Sequence, residues 1–304
     1  MQRRYAIVDH RLKEVHDGPS VLTVYENPDD AEKRTLLDAL KLDEHTLQSA
    51  LDPDELARIE FEPEHAALIF KRPKSYTSAD NFLFKVSSVG AYLFKDQLVL
   101  VIAEDSALLS GIGVLRGKSP AYILLRLIYK SIFHFLEHIK VIATISDEVQ
   151  IKINRAMENR HLLNLFTLQK SLVYYLNSIN SNGALLDKLK LNAPKLGLDQ
   201  EELELLDDTQ IENAQCYKQA EIYSNIVASL MDARASIVGN NLNVLMKTLN
   251  LITVGIMVPT LVVSAFSMNV HIPLESNPYA FYIIMSLATA SVLTFLFLWR
   301  RLGW

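Results

Sequence analysis

The sequence predicts an α/β domain, then long helices, then a C-terminal transmembrane hairpin. Three observations carry this. Residues 58–102 concentrate short β-type runs separated by turn residues. After Gly117 the apolar spacing is helical throughout. Residues 249–268 (LNLITVGIMVPTLVVSAFSM) and 279–299 (YAFYIIMSLATASVLTFLFLW) hold no charged residue. Each is about 20 residues, which at ~1.5 Å per residue crosses a ~30 Å hydrocarbon core.

Composition narrows the function classes. Met1-Gln2-Arg3-Arg4 is basic with no apolar run behind it, so no signal peptide is expected and the N-terminal bulk is predicted to stay in the cytoplasm. One cysteine, Cys216, excludes an intrachain disulfide and any multi-cysteine metal site. Of 30 basic and 35 acidic residues, only Lys247, Arg300, Arg301 and Glu275 lie from Leu245 onward, leaving about −7 on the preceding part. That charge argues against nucleic-acid binding and suits a domain that meets cations, or ordinary solubility. The chain shows no Gly-rich phosphate loop, nucleophile elbow or paired catalytic acid, so neither an enzyme nor ATP-driven transport is predicted.

The elements follow in order. Residues 5–8 and 21–25 read as short strands, and residues 29–40 as a helix with Leu36, Leu37 and Leu40 on one face. Residues 43–51 continue in helical style, and Asp52-Pro53 suits the start of another short helix. Residues 66–70, 82–86, 91–94 and 98–102 are strand-like, with Lys95-Asp96-Gln97 as a tight hairpin. One sheet with flanking helices is the expected layering. Ser119-Pro120 starts a helix running towards Met157, a second runs to about Ile179, and Asn180-Ser181-Asn182-Gly183 reads as a turn. After a break at residues 194–197, Asp199 caps a helix with Glu201 and Glu202 in its first turn. Nothing interrupts that helix before Pro259, so it reads as a stalk of roughly 100 Å entering the membrane.

Lys247 precedes the first span, Arg300 and Arg301 follow the second, and residues 270–278 between them carry no Lys or Arg. The positive-inside rule then puts both ends in the cytoplasm and the turn outside. The first span carries a stripe: Asn243, Met246, Asn250, Thr253, Met257, Thr260, Ser264 and Ser267, at alternating spacings of three and four. Polar groups on one face must meet protein or water rather than lipid. One helix cannot enclose water, whereas several copies around an axis can, so the stripe reads as the wall of a homo-oligomeric pore. A tight helix–helix seam is the other reading. The second span lacks such a stripe and reads as a lipid-facing helix, with Tyr279, Tyr282 and Trp299 at its interfaces.

The run Asn240-Asn241-Leu242-Asn243-Val244-Leu245-Met246-Lys247, then Pro259-Thr260, then Phe266-Ser267-Met268-Asn269, resembles the CorA family of divalent-cation channels. The resemblance covers the C-terminal hundred or so residues closely and the rest in layout. It implies a CorA-like homopentamer in a prokaryotic inner membrane, multi-pass, with both termini cytoplasmic. Its segments would be a cytoplasmic α/β domain (1–117), a helical region (118–198), a stalk helix (199–248), a pore-lining helix (249–268), an extracytoplasmic loop (269–278), a second span (279–299) and a basic tail (300–304). Ser267, Met268 and Asn269 match the selectivity signature, Asn269 being the residue whose five amides ring the outer mouth. Met246, Leu249 and Met257 match narrow apolar pore positions, and Asn243 matches an Asn near the cytoplasmic end. Asp208 matches an acidic residue of a regulatory metal site between neighbouring soluble domains. The implied cargo is Mg²⁺, with Zn²⁺, Co²⁺ or Ni²⁺ as alternatives and a non-conducting membrane sensor or scaffold as a third reading.

The residue chemistry runs parallel. Mg²⁺ gives up water reluctantly, so a filter should offer neutral oxygens such as those of Asn269, Thr260 and Ser264. A Zn²⁺ path would show His or Cys, and the stripe has neither. The chain departs from the family at Ser267, where the family has Gly, and at Phe266, where it has Tyr. The serine adds a Cβ and a hydroxyl at the outer mouth. Five copies of Glu275 would place a negative ring near the entrance, with His271 close by in sequence. His134, Glu137 and His138 could share a helix face but lack the His-Glu-x-x-His order and a third ligand. Asp207, Asp208 and Glu212 offer an acidic face on the stalk.

Overall fold

A seven-stranded mixed sheet organises the N-terminal part of the chain. The structure, a computed structural model, describes residues 1–77, 80–104, 108–109, 119–155, 159–270 and 277–302. It divides into two compact units, Met1–Met231 and Asp232–Trp304.

In the first unit the strands are β1 (Gln2–Val8), β2 (Arg11–Glu14), β3 (Leu22–Glu26), β4 (Arg58–Phe61), β5 (Ala66–Pro73), β6 (Val86–Leu93) and β7 (Leu98–Ile102). Their spatial order is β2-β1-β3-β7-β6-β5-β4, and only β3 and β7 run parallel. Helices α1 (Asp30–Asp38) and α2 (Glu44–Leu51) fall between β3 and β4. Each begins at an aspartate, Asp29 and Asp43, whose carboxylate accepts a backbone N–H of the first turn. The central strands are buried on both faces, and the two-residue period of a strand assigns their side chains alternately. Leu98, Leu100 and Ile102 join one apolar cluster with the long helices, while Val99 and Val101 join Leu36 and Leu47 of α1 and α2 in another. Gly90 allows α2 to lie against β6, since a Cβ there would sit 2.4 Å from Ala50 Cβ.

On the other face lie α3 (Pro120–Arg155), α4 (Asn159–Leu191) and the first part of α6 (Gln200–Ala265), with the single turn α5 (Ala193–Leu196) before it. Gly197, in the left-handed region at φ 66°, ends α5. Asp199 Oδ1 accepts from Glu202 N at 2.8 Å and Glu202 Oε2 accepts from Asp199 N at 2.9 Å, a reciprocal cap for α6. The other Glu202 oxygen accepts from Ser119 Oγ, which itself accepts from Tyr122 N at 2.9 Å. One carboxylate thus ties the start of α6 to the start of α3.

Four sequence expectations are corrected. Residues 82–86 are not a strand of their own: Phe82 has φ 67°, Phe84 N donates to Ser171 Oγ at 3.0 Å, and β6 begins only at Val86 and takes in the run at 91–94 as far as Leu93. No helix starts at Pro53. The carbonyls a helix would use are taken: Pro53 O and Glu55 O accept from the Lys71 ammonium at 2.6 and 2.7 Å, and Asp52 O accepts from Ser88 Oγ at 2.5 Å. Residues 180–183 do not turn but lie inside α4. Asn182 Nδ2 donates to Lys71 O at 2.9 Å and its Oδ1 accepts from Lys71 N at 2.8 Å. The β4–β5 register ends at Arg58 opposite Ile69, so the amide completes hydrogen bonding where β5 has outrun its neighbour. Finally, β2 and β4 are not among the individual runs named from sequence, although β4 opens the β-rich stretch at Arg58. Their sequences, RLKE and RIEF, are half charged or more, and each lies at an edge of the sheet.

Candidate functional site

The second unit contains the later part of α6 and α7 (Ala280–Leu302). Both helices are long and apolar enough to cross a membrane. α6 continues through Pro259 to Ala265. Proline brings no N–H for the carbonyl four residues back, that of Gly255. Thr260 Oγ1 supplies an additional donor one residue along, to Ile256 O at 2.7 Å.

Within this unit α6 has two distinct faces. Leu251, Gly255, Val258, Pro259, Val262 and Phe266 are partly covered. On α7 the partly or fully covered positions are Ala280, Ile283, Ile284, Ala288, Ser291, Val292, Phe295 and Trp299. Gly255 marks the contact, since a Cβ there would lie 3.7 Å from Phe295 Cε1. The stripe residues Asn243, Met246, Asn250, Thr253, Met257, Thr260, Ser264 and Ser267 are all exposed, as is Leu249. At 3.6 residues per turn the stripe falls on roughly the opposite side of the helix from the face against α7. The chain therefore covers one side of α6 with its own second span and leaves the polar stripe open.

The polar groups of the stripe differ in how they are satisfied. Thr253 Oγ1 donates to Leu249 O at 2.8 Å, and Thr260 is bonded as above. Each hydroxyl hydrogen is spent inside the helix, so the oxygen presents lone pairs outward as an acceptor. The exposed amides of Asn243, Asn250 and Asn269 make no side-chain hydrogen bond among the described residues. Ser267 closes α6: its N–H and its Oγ both donate to Ser264 O, at 3.1 and 3.0 Å. Ser267 is not among the positive-φ residues, so a serine fits here without left-handed strain. Met268 and Asn269 follow, both exposed. Glu275 and His271 lie outside the described residues.

The sites expected in the first unit are less complete. Asp208 is exposed on α6, with Glu212 one turn further on and partly covered. Asp207 is engaged by Lys190 Nζ at 2.8 Å. Among the described residues no group of three His, Cys, Asp or Glu side chains is placed to hold a metal. His134 and His138 meet edge to face, with ring centroids 4.4 Å apart, but His138 Nδ1 lies 2.6 Å from Tyr175 Oη in the core. Burial, and then His134, push the His138 pKa down to about 4. Sequence reasoning missed the pairing of Gly255 with Phe295, for which a lone glycine in an apolar run gives no distinctive signal.

Comparison with known proteins agrees along the whole chain. The family described as CorA-like Mg²⁺ transporter protein matches residues 23–301. The cobalt/magnesium transport protein CorA of Methanocaldococcus jannaschii is 26% identical over 318 residues, covering 98% of this chain and 96% of that protein. The complete structure of the CorA magnesium transporter from Methanocaldococcus jannaschii superposes with a TM-score of 0.86 at 20% identity, over 100% of this chain and 98% of that one. Full-length CmaX gives a TM-score of 0.76 at 14% identity, over 100% of this chain and 98% of the other. The ZntB cytoplasmic domain from Vibrio parahaemolyticus gives 0.60 at 13% identity, over 78% of this chain and 98% of that domain.

Proposed function

The chain belongs to the CorA-like Mg²⁺ transporter family, and from that membership we propose that it forms a homopentameric channel carrying Mg²⁺ across a prokaryotic inner membrane, both termini cytoplasmic. The observation that carries this reading is the open polar stripe on the side of α6 turned away from α7. Five such faces around an axis make a pore wall of amide and hydroxyl oxygens. The waters around a hydrated cation donate outward, and the lone pairs of Thr253 and Thr260 suit them as acceptors. Five Asn269 amides at the outer end bind the hydrated ion and set selectivity. Met246, Leu249 and Met257 narrow the path with apolar side chains. The ion moves down its electrochemical gradient, and an interior-negative potential contributes about 4.6 kcal/mol per 100 mV for a divalent cation.

Gating in this proposal is a population shift. Divalent ions held between soluble domains, with Asp208 and Glu212 of one copy and groups of its neighbour, favour the closed state, and their loss releases it. Co²⁺ is a second cargo, in line with the relative named for both ions. A flux assay in proteoliposomes with Mg²⁺ and Zn²⁺ as competing cargo tests the reading. Mg²⁺ is expected to pass and Asn269→Ala to abolish its uptake. Preferential Zn²⁺ flux overturns the ion assignment, uptake surviving in Asn269→Ala overturns the role of Asn269, and uptake of neither ion by the parent protein favours a non-conducting sensor. Asp208→Asn is expected to weaken inhibition by internal Mg²⁺, and unchanged inhibition overturns its regulatory role.

A further inference from the structure

The second unit contains a groove of about 610 Å³ between α6 and α7, at the end of the hairpin that carries its basic residues. Leu251, Val254, Phe295 and Trp299 supply apolar walls, and Lys247 and Thr248 stand at its polar end. Asn250 also lines the groove with its amide, and the Thr248 hydroxyl hydrogen is used on Val244 O at 2.9 Å, so Lys247 is the charged donor among the residues that line it. No ion pair engages Lys247 among the described residues. Arg300 and Arg301 follow Trp299 directly, both exposed. After Asp232 the sequence contains one acidic residue, Glu275, which belongs to the connecting turn at the opposite end of the hairpin. The basic end therefore has no anion of its own segment to balance three cations.

We propose that this groove binds an anionic phospholipid of the cytoplasmic leaflet, its phosphate on the Lys247 ammonium and an acyl chain along Phe295 and Trp299. The inference rests on the membrane orientation given under Proposed function. Apolar walls are no attraction to a lipid already in hydrocarbon, so headgroup charge decides which lipid stays. A basic pocket between transmembrane helices on the cytoplasmic side is suited to an anionic headgroup. A soluble phosphate would leave the Phe295 and Trp299 walls unfilled, so a molecule with both a head and a tail fits better.

Trp299 provides the readout. The chain has two tryptophans, and Trp304→Phe leaves Trp299 as the only one. The full-length protein is reconstituted in equal phosphatidylglycerol and phosphatidylcholine, with brominated chains on one lipid or the other. Brominated phosphatidylglycerol is expected to quench Trp299 several-fold more effectively, about five-fold for one cation near the surface. Lys247→Arg should keep that preference and Lys247→Gln should remove it. Equal quenching by both lipids in the parent protein overturns the proposal. So does a preference that survives Lys247→Gln, because Arg300 and Arg301 then account for it without the groove. Quenching by neither lipid overturns the membrane placement itself, which separates failure of that premise from failure of the lipid site.

Discussion

Ser267 donates twice to the carbonyl of Ser264, from its backbone N–H at 3.1 Å and from its hydroxyl at 3.0 Å. A glycine in its place could not make the second bond. The serine therefore stiffens the turn that leads to Asn269 and is not merely tolerated there. Ser267→Gly should leave assembly intact and raise the Mg²⁺ concentration for half-maximal flux. A net hydrogen bond of about 1 kcal/mol corresponds to about five-fold. Ser267→Thr should stay near the parent value. An unchanged Ser267→Gly flux curve would show that the hydroxyl positions nothing.

The Asn182 amide is a substitute for a missing strand. Asn182→Leu leaves both the N–H and the C=O of buried Lys71 without partners. The expected loss is about 2–5 kcal/mol of stability in the first unit. Thermal unfolding followed by far-ultraviolet circular dichroism measures it, and exchange of the Lys71 amide should accelerate in parallel.

Gly90 and Ala50 share one space. Gly90→Ala sets a methyl 2.4 Å from Ala50 Cβ, so α2 or β6 must shift. An overpacking cost of about 1–3 kcal/mol follows. Ala50→Gly alone costs about 1 kcal/mol through helix propensity. Combined, the two should cost less than their sum, and a double-mutant cycle on chemical denaturation checks the coupling. Strict additivity would mean that the strain is relieved elsewhere.

His138 should make the first unit acid-sensitive. Its pKa in the folded protein is about 4, pushed down by burial and by His134, while the unfolded value is about 6.5. Between those values the unfolded chain binds more protons, so stability is full above about pH 6.5 and falls as pH drops towards 4. The contribution lost is about 3 kcal/mol. His138→Phe removes the proton site, and its stability should change less steeply over that window than the parent's. Parallel pH profiles would assign the acid sensitivity to other groups.

The legible parts of the molecule were those written in local chemistry. Asp199 three residues before Glu202 announces the start of α6, and the uncharged spans announce the hairpin. The stripe was legible because helical spacing alone brings Asn243 through Ser267 to one side. Features set by distant partners were not. Lys71 draws the carbonyls after α2 away from helix, although it lies on another strand. Asn182 and Gly183 look like turn residues until β5 is in place to use the amide. The β1–β2 turn uses Asp9 and His10, at φ 52° and 58°, rather than the glycine that would advertise it. For the candidate site, sequence supplied the stripe, while the side of α6 that the second span occupies depends on packing between the two helices.

Cys216 has a practical consequence. It is the chain's sole thiol, fully buried, and burial pushes its pKa up to about 12. A protonated, enclosed sulfur is inert towards thiol reagents at neutral pH. The natural sequence is thus its own cysteine-silent background. A cysteine introduced at any position from Asn243 to Asn269 will be the one that a water-soluble methanethiosulfonate labels, and the periodicity of labelling along α6 will trace the wetted wall residue by residue without prior removal of the native thiol.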